Sequence, residues 1–227
     1  MKKFLVLLLV AVTVFNFSPL QSVSAKLHTQ EEAEGNSYHF KKGKNLIHIN
    51  VGEDYVVSVI NNKTGQKEYL QVTNPGIVDP IIKFYTRWND LGITDGRQKL
   101  TKKQQKQLAT ITGVREGYVR INVFDVYAQV LVGNGVLPYE ETGDIGDKFY
   151  VKYYGDEGDK VISYKSTNKK VATVNKKGKV TLKGTNFNPN GTFKAVKIAV
   201  KVKKADGTVV KYYSYVNCRD PKAEGQN

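Results

Sequence analysis

The sequence predicts an all-β chain of two tandem sandwich modules that follow an export signal. The composition favours strands and tight turns, with 14 Tyr and 20 Gly among 227 residues, because aromatic residues are enriched in strands and Gly in turns. Short runs of alternating polar and apolar residues recur along the chain, which is typical of half-buried strands. A weak internal repeat divides the chain into two similar halves.

The first 25 residues have the three parts of a secretory signal peptide. Lys2 and Lys3 form a positive n-region, residues 4–15 are apolar, and small residues end the segment at Ala25. The apolar run is too short for a transmembrane helix, which needs about 20 residues. We therefore predict a signal peptide at residues 1–25 and a secreted, extracellular protein that is released or held loosely on a cell wall by charge.

Composition also divides the mature chain into segments. The stretches at its two ends are polar and lack hydrophobic periodicity, which is typical of disorder. A Gly-rich junction lies at residues 133–135. We predict a disordered leader at 26–37, a divergent immunoglobulin-like β-sandwich at 38–132, a second immunoglobulin-like β-sandwich at 136–217, and a disordered tail at 218–227.

The internal repeat relates the beginnings of the two modules. Residues 51–59 (VGEDYVVSV) match residues 145–153 (IGDKFYVKY), 94 positions further along, and this offset is the size of one immunoglobulin-like sandwich. Alternation places three equivalent positions of each copy on one strand face. These positions are Tyr55, Val57 and Val59 in the first copy, and Phe149, Val151 and Tyr153 in the second.

Turn signals and one helix signal complete the predicted elements. Residues 61–65, 175–178 and 206–207 are rich in Asn, Asp and Gly and separate alternating runs, as hairpin turns do. Thr101 is followed three residues later by Gln104, which is the pattern of a capping box. The sequence therefore predicts hairpins at these three places and one short, exposed helix over residues 101–109.

Residues 163–181 (SYKSTNKKVATVNKKGKVT) resemble the bacterial immunoglobulin-like group 2 family, whose pattern joins Val-Ala-Thr-Val to a Gly turn and a Val-Thr strand. The resemblance covers roughly residues 138–202. Residues 113–123 (GVREGYVRINV) look like the ending of the same family, but the first module lacks Val-Ala-Thr-Val. The resemblance implies a Greek-key sandwich of the kind found on bacterial surface and phage proteins, with no catalytic residues.

The strong positive charge predicts an anionic partner. The formal net charge is +14 at pH 7, and the mature chain keeps most of it because only Lys2 and Lys3 leave with the signal. Such a surface attracts teichoic acids, anionic lipid headgroups, nucleic acid or acidic glycans, although it also serves solubility alone. We predict a non-catalytic binding or adhesion protein of a bacterial surface, with an anionic cell-wall polymer, a glycan or a protein as its partner.

Two groups of residues are the predicted binding positions. Seven lysines surround one predicted hairpin, and no Arg occurs from Val136 to Asn217. Arg87 and Trp88 precede a likely turn in the segment that departs from the family pattern, residues 86–108. That segment supports an alternative function, a secreted effector or inhibitor that binds a protein partner. The hairpin lysines are Lys165, Lys169, Lys170, Lys176, Lys177, Lys179 and Lys183.

The sequence offers little chemistry for catalysis. His28, His39 and His48 do not have the spacing of a zinc site, and no nucleophile or phosphate-loop motif is present. We therefore predict no enzyme activity, no catalytic residue, no metal and no cofactor. The acidic stretch at residues 155–159 is predicted to be a solvated turn rather than a calcium loop. Cys218 is the only cysteine, and two readings remain open: an incidental thiol near the terminus or a disulfide between two copies.

Overall fold

The structure is a computed structural model that describes residues 36–73, 81–84, 99–188 and 192–221. The signal peptide, most of the leader, and Arg87 and Trp88 lie outside these residues. The described part of the first half contains ten strands and one helix: β1 (Tyr38–His39), β2 (Leu46–Ile49), β3 (Asp54–Val56), β4 (Val59–Asn61), β5 (Lys67–Glu68), β6 (Val72–Thr73), β7 (Ile82–Phe84), α1 (Lys102–Leu108), β8 (Thr110–Gly113), β9 (Gly117–Val123) and β10 (Val126–Val132).

Nine strands lie in the second half as far as the structure describes it: β11 (Gly135–Leu137), β12 (Glu140–Asp144), β13 (Lys148–Tyr150), β14 (Lys152–Tyr154), β15 (Lys160–Ser166), β16 (Ala172–Val174), β17 (Lys179–Leu182), β18 (Val196–Lys203) and β19 (Val209–Arg219). The fold is therefore all-β, with two tandem β-sandwiches. No helix in the described part of the chain is long and apolar enough to span a bilayer.

The two halves have the same strand topology. Each contains a four-stranded sheet, ordered β2-β10-β9-β6 in the first half and β12-β19-β18-β15 in the second. Each also contains a three-stranded sheet, β3-β8-β7 or β13-β17-β16. In both four-stranded sheets the first strand runs parallel to its neighbour. The weak repeat in the sequence therefore reflects two copies of one architecture, with β5 as an addition in the first copy.

A strand that changes sheets explains the repeated segment. In the first copy β3 pairs with β8, whereas β4, two residues later, pairs with β1. In the second copy β13 pairs with β17, and β14 pairs with β11. The predicted inward face is confirmed, because Val57, Val59, Phe149 and Val151 are at most 1% exposed. Alternation thus continues through the change of sheet and keeps the apolar residues in the core.

Each half has its own hydrophobic core between its sheets. The first core joins Ile47 and Val130 of the four-stranded sheet to Ile111 of the three-stranded sheet. The second core joins Phe149 and Val180 of the three-stranded sheet to residues of the four-stranded sheet. Burial of this apolar surface is the main stabilising contribution to each sandwich. The residues that β18 and β19 supply to the second core are Val196, Ile198, Val200, Val202, Val216 and Cys218.

The predicted helix and hairpins are confirmed. Helix α1 begins after Thr101, whose side chain accepts a hydrogen bond from the backbone N–H of Gln104, while the Gln104 side chain accepts one from the Thr101 N–H. Asn175 closes the turn between β16 and β17 by accepting hydrogen bonds from Lys177 and Lys179 N–H groups. These local bonds follow directly from residue type, which is why the sequence predicts them.

The two halves meet along the junction. β10 ends at Val132 and β11 begins at Gly135. The buried side chain of Gln129 accepts a hydrogen bond from Tyr139 N–H at 2.8 Å and donates one to the carbonyl of Glu140 at 2.6 Å. The Tyr118 ring stacks on Tyr139 with centroids 4.1 Å apart. Polar and aromatic contacts therefore link the outer face of the first four-stranded sheet to the start of the second sandwich.

Cys218 corrects two expectations. Strand β19 continues through Arg219, so the tail does not begin at Cys218, because this residue pairs with Gly143 of β12. The thiol is fully buried in the second core, and burial raises its pKa to about 11. A disulfide between two copies through this thiol is contradicted, since no sulfur of another molecule can reach it without opening the sandwich.

The acidic stretch at residues 155–159 forms a turn, as expected. Asp159 accepts hydrogen bonds from Lys204 Nζ at 2.6 Å and from the Tyr153 hydroxyl at 2.6 Å. The Lys204 ammonium lies 3.1 Å from a carboxylate oxygen of Asp156 as well. These contacts, with the Lys204 hydrogen bond first, lower the pKa of Asp159 to about 2. The Lys204 ammonium therefore pairs with two carboxylates of this turn.

Candidate functional site

The predicted hairpin lysines lie at separate places on the second sandwich. Lys169 and Lys170 precede β16, and Lys183 follows β17 at the same end, where its N–H donates to Val171 O at 2.7 Å. Lys176 and Lys177 lie in the turn at the other end of the hairpin. Strands of three or four residues separate the two ends by about 10 Å.

The remaining two predicted lysines belong to different sheets. Lys179 lies on β17, and its ammonium is 5.9 Å from the centre of the Tyr150 ring. Lys165 lies on β15 of the four-stranded sheet. The seven lysines are thus divided among the two ends of the hairpin and the outer faces of both sheets. Most of them are exposed, and their role in binding stays a prediction.

The outer face of the four-stranded sheet carries a denser set of charges. In β18 the residues Ile198, Val200 and Val202 are fully buried. Because successive side chains of a strand point to opposite faces, the alternate positions Lys197, Lys201 and Lys203 point away from the core, and all three are exposed.

Neighbouring strands add lysines to the same face. Lys201 lies directly opposite Lys211 of β19, and Lys203 lies directly opposite Lys160 of β15. Lys165 lies opposite Ala199, the remaining outward position of β18. We call this set the lysine face. It comprises Lys160, Lys165, Lys197, Lys201, Lys203 and Lys211.

Within the described residues, the charges of the lysine face are not compensated. No described carboxylate forms an ion pair with any of the six, whereas the next lysine in the chain, Lys204, pairs with two aspartates. Adjacent strands are about 4.8 Å apart, so the pairs Lys201–Lys211 and Lys160–Lys203 place like charges side by side. Such pairs destabilise a sheet. They add to the positive potential of this face.

Two tyrosines share the face with the lysines. Lys197 lies opposite Tyr215, and its ammonium is 5.7 Å from the Tyr213 ring and 5.4 Å from the Tyr215 ring. The Tyr213 side chain is exposed. Aromatic rings beside cationic groups offer stacking to sugar rings and attraction to anionic groups in one surface.

Sequence reasoning found only Lys165 among the six lysines of this face. The signal for the others is present in the run Val-Lys-Ile-Ala-Val-Lys-Val-Lys of residues 196–203, where Lys occupies three of the four alternate positions. The hairpin lysines are close in sequence, so the sequence alone groups them. The lysine face combines three strands that are distant in sequence, so its density becomes apparent only with the strand register.

The described residues contain no cluster of three or more His, Cys, Asp or Glu side chains arranged to hold a metal ion.

An open cavity of about 410 Å³ lies beside the start of β18 and is lined partly by Asn168, Asn186 and Lys194. The Asn186 side chain accepts a hydrogen bond from Cys218 N–H at 2.6 Å and donates one to Lys194 O at 2.8 Å. Its polar atoms therefore hold the local fold together.

Comparison with known proteins gives weak similarity. No family model matches the sequence, and no curated protein is significantly similar to it. Among solved structures, the N-terminal four Ig domains of Dscam1 isoform 1.9 are 8% identical at a TM-score of 0.27, over 78% of this chain and 50% of that chain. Mouse clustered PcdhgC3 EC1-3 is 14% identical at a TM-score of 0.26, over 82% of this chain and 69% of that chain.

The chain therefore spans about half the length of the Dscam1 structure that it resembles. At these values of identity and TM-score, the similarity carries no argument about activity or partners. The strand register and the charges of this chain define the candidate site.

Proposed function

We propose that this protein is a secreted, non-catalytic binding or adhesion protein of a bacterial surface, which engages an anionic polymer through the lysine face. The observation that supports the proposal is the set of six exposed lysines on one sheet face, with like charges directly opposite and no described carboxylate paired to them. A bound polyanion relieves the repulsion among these lysines, so binding also stabilises the folded four-stranded sheet.

The chemistry of the face favours charge-driven binding over recognition of one fixed geometry. Lys presents a mobile point charge, whereas Arg presents a planar fork that holds a phosphate or carboxylate in a fixed orientation. All six cations of the face are lysines. Attraction of this kind weakens as salt shortens the screening length from about 10 Å at 0.1 M to about 3 Å at 1 M.

The tyrosines favour a polymer that also contains sugar or other ring units. Tyr213 and Tyr215 lie on the same strand, two positions apart, and thus about 7 Å from each other. The same face can therefore hold a ring against Tyr213 while the neighbouring lysines attract the charges that follow along the chain. A teichoic acid or an acidic glycan has both features, whereas an anionic polymer without rings has only the charge.

The test compares two variants that each lose four positive charges. In the face variant Lys197, Lys201, Lys203 and Lys211 are replaced by Gln. In the hairpin variant the same change is made at Lys169, Lys170, Lys176 and Lys177. Retention of the mature protein is measured on teichoic acid, heparin and DNA resins in a salt gradient.

We expect the face variant to elute at clearly lower salt than the hairpin variant on teichoic acid and heparin. Equal shifts for the two variants would show that net charge alone determines retention. A larger shift for the hairpin variant would place the binding site at the hairpin lysines. A resin that carries inorganic polyphosphate, which has no rings, tests the tyrosines. Tyr213→Ala should weaken retention on polymers that contain sugar rings more than it weakens retention on this resin.

A further inference from the structure

The tip of the β9–β10 hairpin holds an aromatic residue in an unfavourable backbone conformation. Phe124 has φ of +57°, and it is the only non-glycine residue in the described part of the chain with a positive φ. Bulky residues rarely adopt this conformation, and such strain is found mainly at functional positions. The side chain is 71% exposed, the highest value among the large hydrophobic residues described. The protein therefore gains no core burial in return for the strain.

The Phe124 ring has an aromatic neighbour. Tyr38 contacts it edge to face, with ring centroids 5.3 Å apart and planes at 79°. Most of Phe124 nevertheless remains in solvent. The tip of the hairpin is therefore a small exposed apolar group.

Polar groups near the tip are engaged within the first sandwich. The Asp125 carboxylate accepts a hydrogen bond from the Ser37 N–H. The His39 ring is hydrogen-bonded to the Asn62 side chain, whose amide also donates to Asn36 O at 2.7 Å. A sugar site needs polar groups directed at the hydroxyls around a stacked ring. These contacts instead favour an apolar partner for Phe124.

Two basic turns lie at the same end of the sandwich. β2 runs parallel to β10 with Leu46 opposite Gln129, so the turn before β2 lies beside the start of β10, next to the hairpin tip. That turn carries three exposed lysines, Lys41, Lys42 and Lys44. The backbone of Ser37 joins the tip to a second turn, because its N–H donates to Asp125 and its carbonyl accepts the Asn62 N–H. The exposed Lys63 is the next residue of that turn.

We propose that this end of the first sandwich is a membrane-contact surface, in which Phe124 enters the interfacial region of an anionic bilayer and the surrounding lysines face the headgroups. An exposed aromatic residue at the same end of the sandwich as these lysines matches the chemistry of that interface, where apolar rings partition and lysines attract anionic lipids. The occupant differs from the polymer assigned to the lysine face, and the two surfaces lie on different sandwiches.

The test measures binding of the mature protein to vesicles of phosphatidylglycerol mixed with phosphatidylcholine, and to vesicles of phosphatidylcholine alone. Phe124→Gly should weaken binding to the anionic vesicles about tenfold, which corresponds to loss of a partly buried aromatic side chain. The same variant should melt about 2–4 °C higher than the wild type, because Gly adopts a positive φ without strain. Weaker binding by a more stable protein excludes misfolding as the cause.

Phe124→Leu distinguishes insertion from ring stacking. Leu is also apolar and should retain most of the vesicle binding, whereas it cannot stack on a sugar. Equal losses for the Leu and Gly variants would overturn the proposal in favour of a stacked partner. If Phe124→Gly binds the anionic vesicles as tightly as the wild type, the hairpin tip does not contact the membrane.

A third variant tests the charges. Replacing Lys41 and Lys42 by Gln should weaken binding to the anionic vesicles by about fivefold per lysine and leave binding to phosphatidylcholine unchanged. Retention on teichoic acid resin should not change in Phe124→Gly, so failure of this proposal is distinguishable from failure of the lysine face. A change in resin retention equal to the change in vesicle binding would contradict the assignment of a separate membrane surface.

Discussion

The side-chain amide of Gln129 forms hydrogen bonds with the backbone of Tyr139 and with both backbone groups of Glu140, across the boundary between the two sandwiches. Gln129 is only 6% exposed. Its partners are Tyr139, which lies between β11 and β12, and Glu140, the first residue of β12, so a single side chain fixes the entry into β12. The sandwiches are therefore held together by specific polar contacts as well as by the chain.

Gln129→Leu should destabilise the protein strongly. The substitution removes the hydrogen bonds that the Gln129 amide makes with the Tyr139 N–H and the Glu140 carbonyl, at a cost of about 1–3 kcal/mol. Thermal and urea unfolding measure the loss, with Gln66→Leu in the exposed β4–β5 turn as the matched control. A loss within about 0.5 kcal/mol, as for an ordinary surface change, would mean that water replaces the Gln129 contacts.

The second sandwich should fold alone when β19 is complete. We expect a fragment of residues 135–221 to show β-sheet circular dichroism and cooperative unfolding, because its core lies within the fragment. A fragment that ends at Asn217 should be less stable, since it loses Cys218 from the core and the 3.1 Å ion pair between Arg219 and Asp144. If neither fragment folds while the full mature chain does, the two sandwiches form one cooperative unit.

Glu141 should make stability depend on pH. Burial, with repulsion from Asp147 as the second cause, raises its pKa from 4.5 to about 8. The folded state therefore holds a proton that the unfolded state releases, so this contribution to stability is complete below about pH 4.5 and is lost as the pH rises through about 8.

Glu141→Gln should remove that part of the pH dependence. The amide keeps the shape of the protonated acid, so the variant should be more stable than the wild type at pH 8 by roughly 1–3 kcal/mol, and similar to it at pH 5. Urea unfolding from pH 5 to 8 gives both curves. Parallel curves would show that Glu141 remains solvated in the folded protein. Glu157→Gln, at an exposed turn position, is the control for net charge.

The register of the β16–β17 hairpin should determine which substitutions are tolerated. Val180 is fully buried, whereas its neighbour Thr181 is partly exposed on the outer face. Val180→Asp should cost about 3 kcal/mol or more, because it places an unpaired charge in the core. Thr181→Asp should cost under about 1 kcal/mol, as surface changes usually do. Chemical denaturation of both variants tests the assignment, and similar losses would mean that the register is wrong.

Local signals predict individual elements correctly in this chain. The capping box at Thr101, the Asn175 turn and the alternation through Phe149 and Val151 depend on residues close in sequence, and the structure contains each of them. Val171 shows the limit of such reasoning. Alternation assigns it to the outer face with Thr173, yet it is 5% exposed. The chain turns before β16, where Val171 N–H donates to Asn168 O. The inward–outward alternation of β16 therefore does not extend to Val171.

The sequence by itself determined the all-β class, the repeat, the hairpin turns and the basic charge of this protein, because these properties depend on composition and on neighbours along the chain. Tertiary structure decided which charges act together. Lys160, Lys201 and Lys211 are distant in sequence and become adjacent only when β15, β18 and β19 pair in register. Burial likewise made Cys218 an inert core residue, because β12 and β19 pair beyond the point where the sequence indicated a disordered tail.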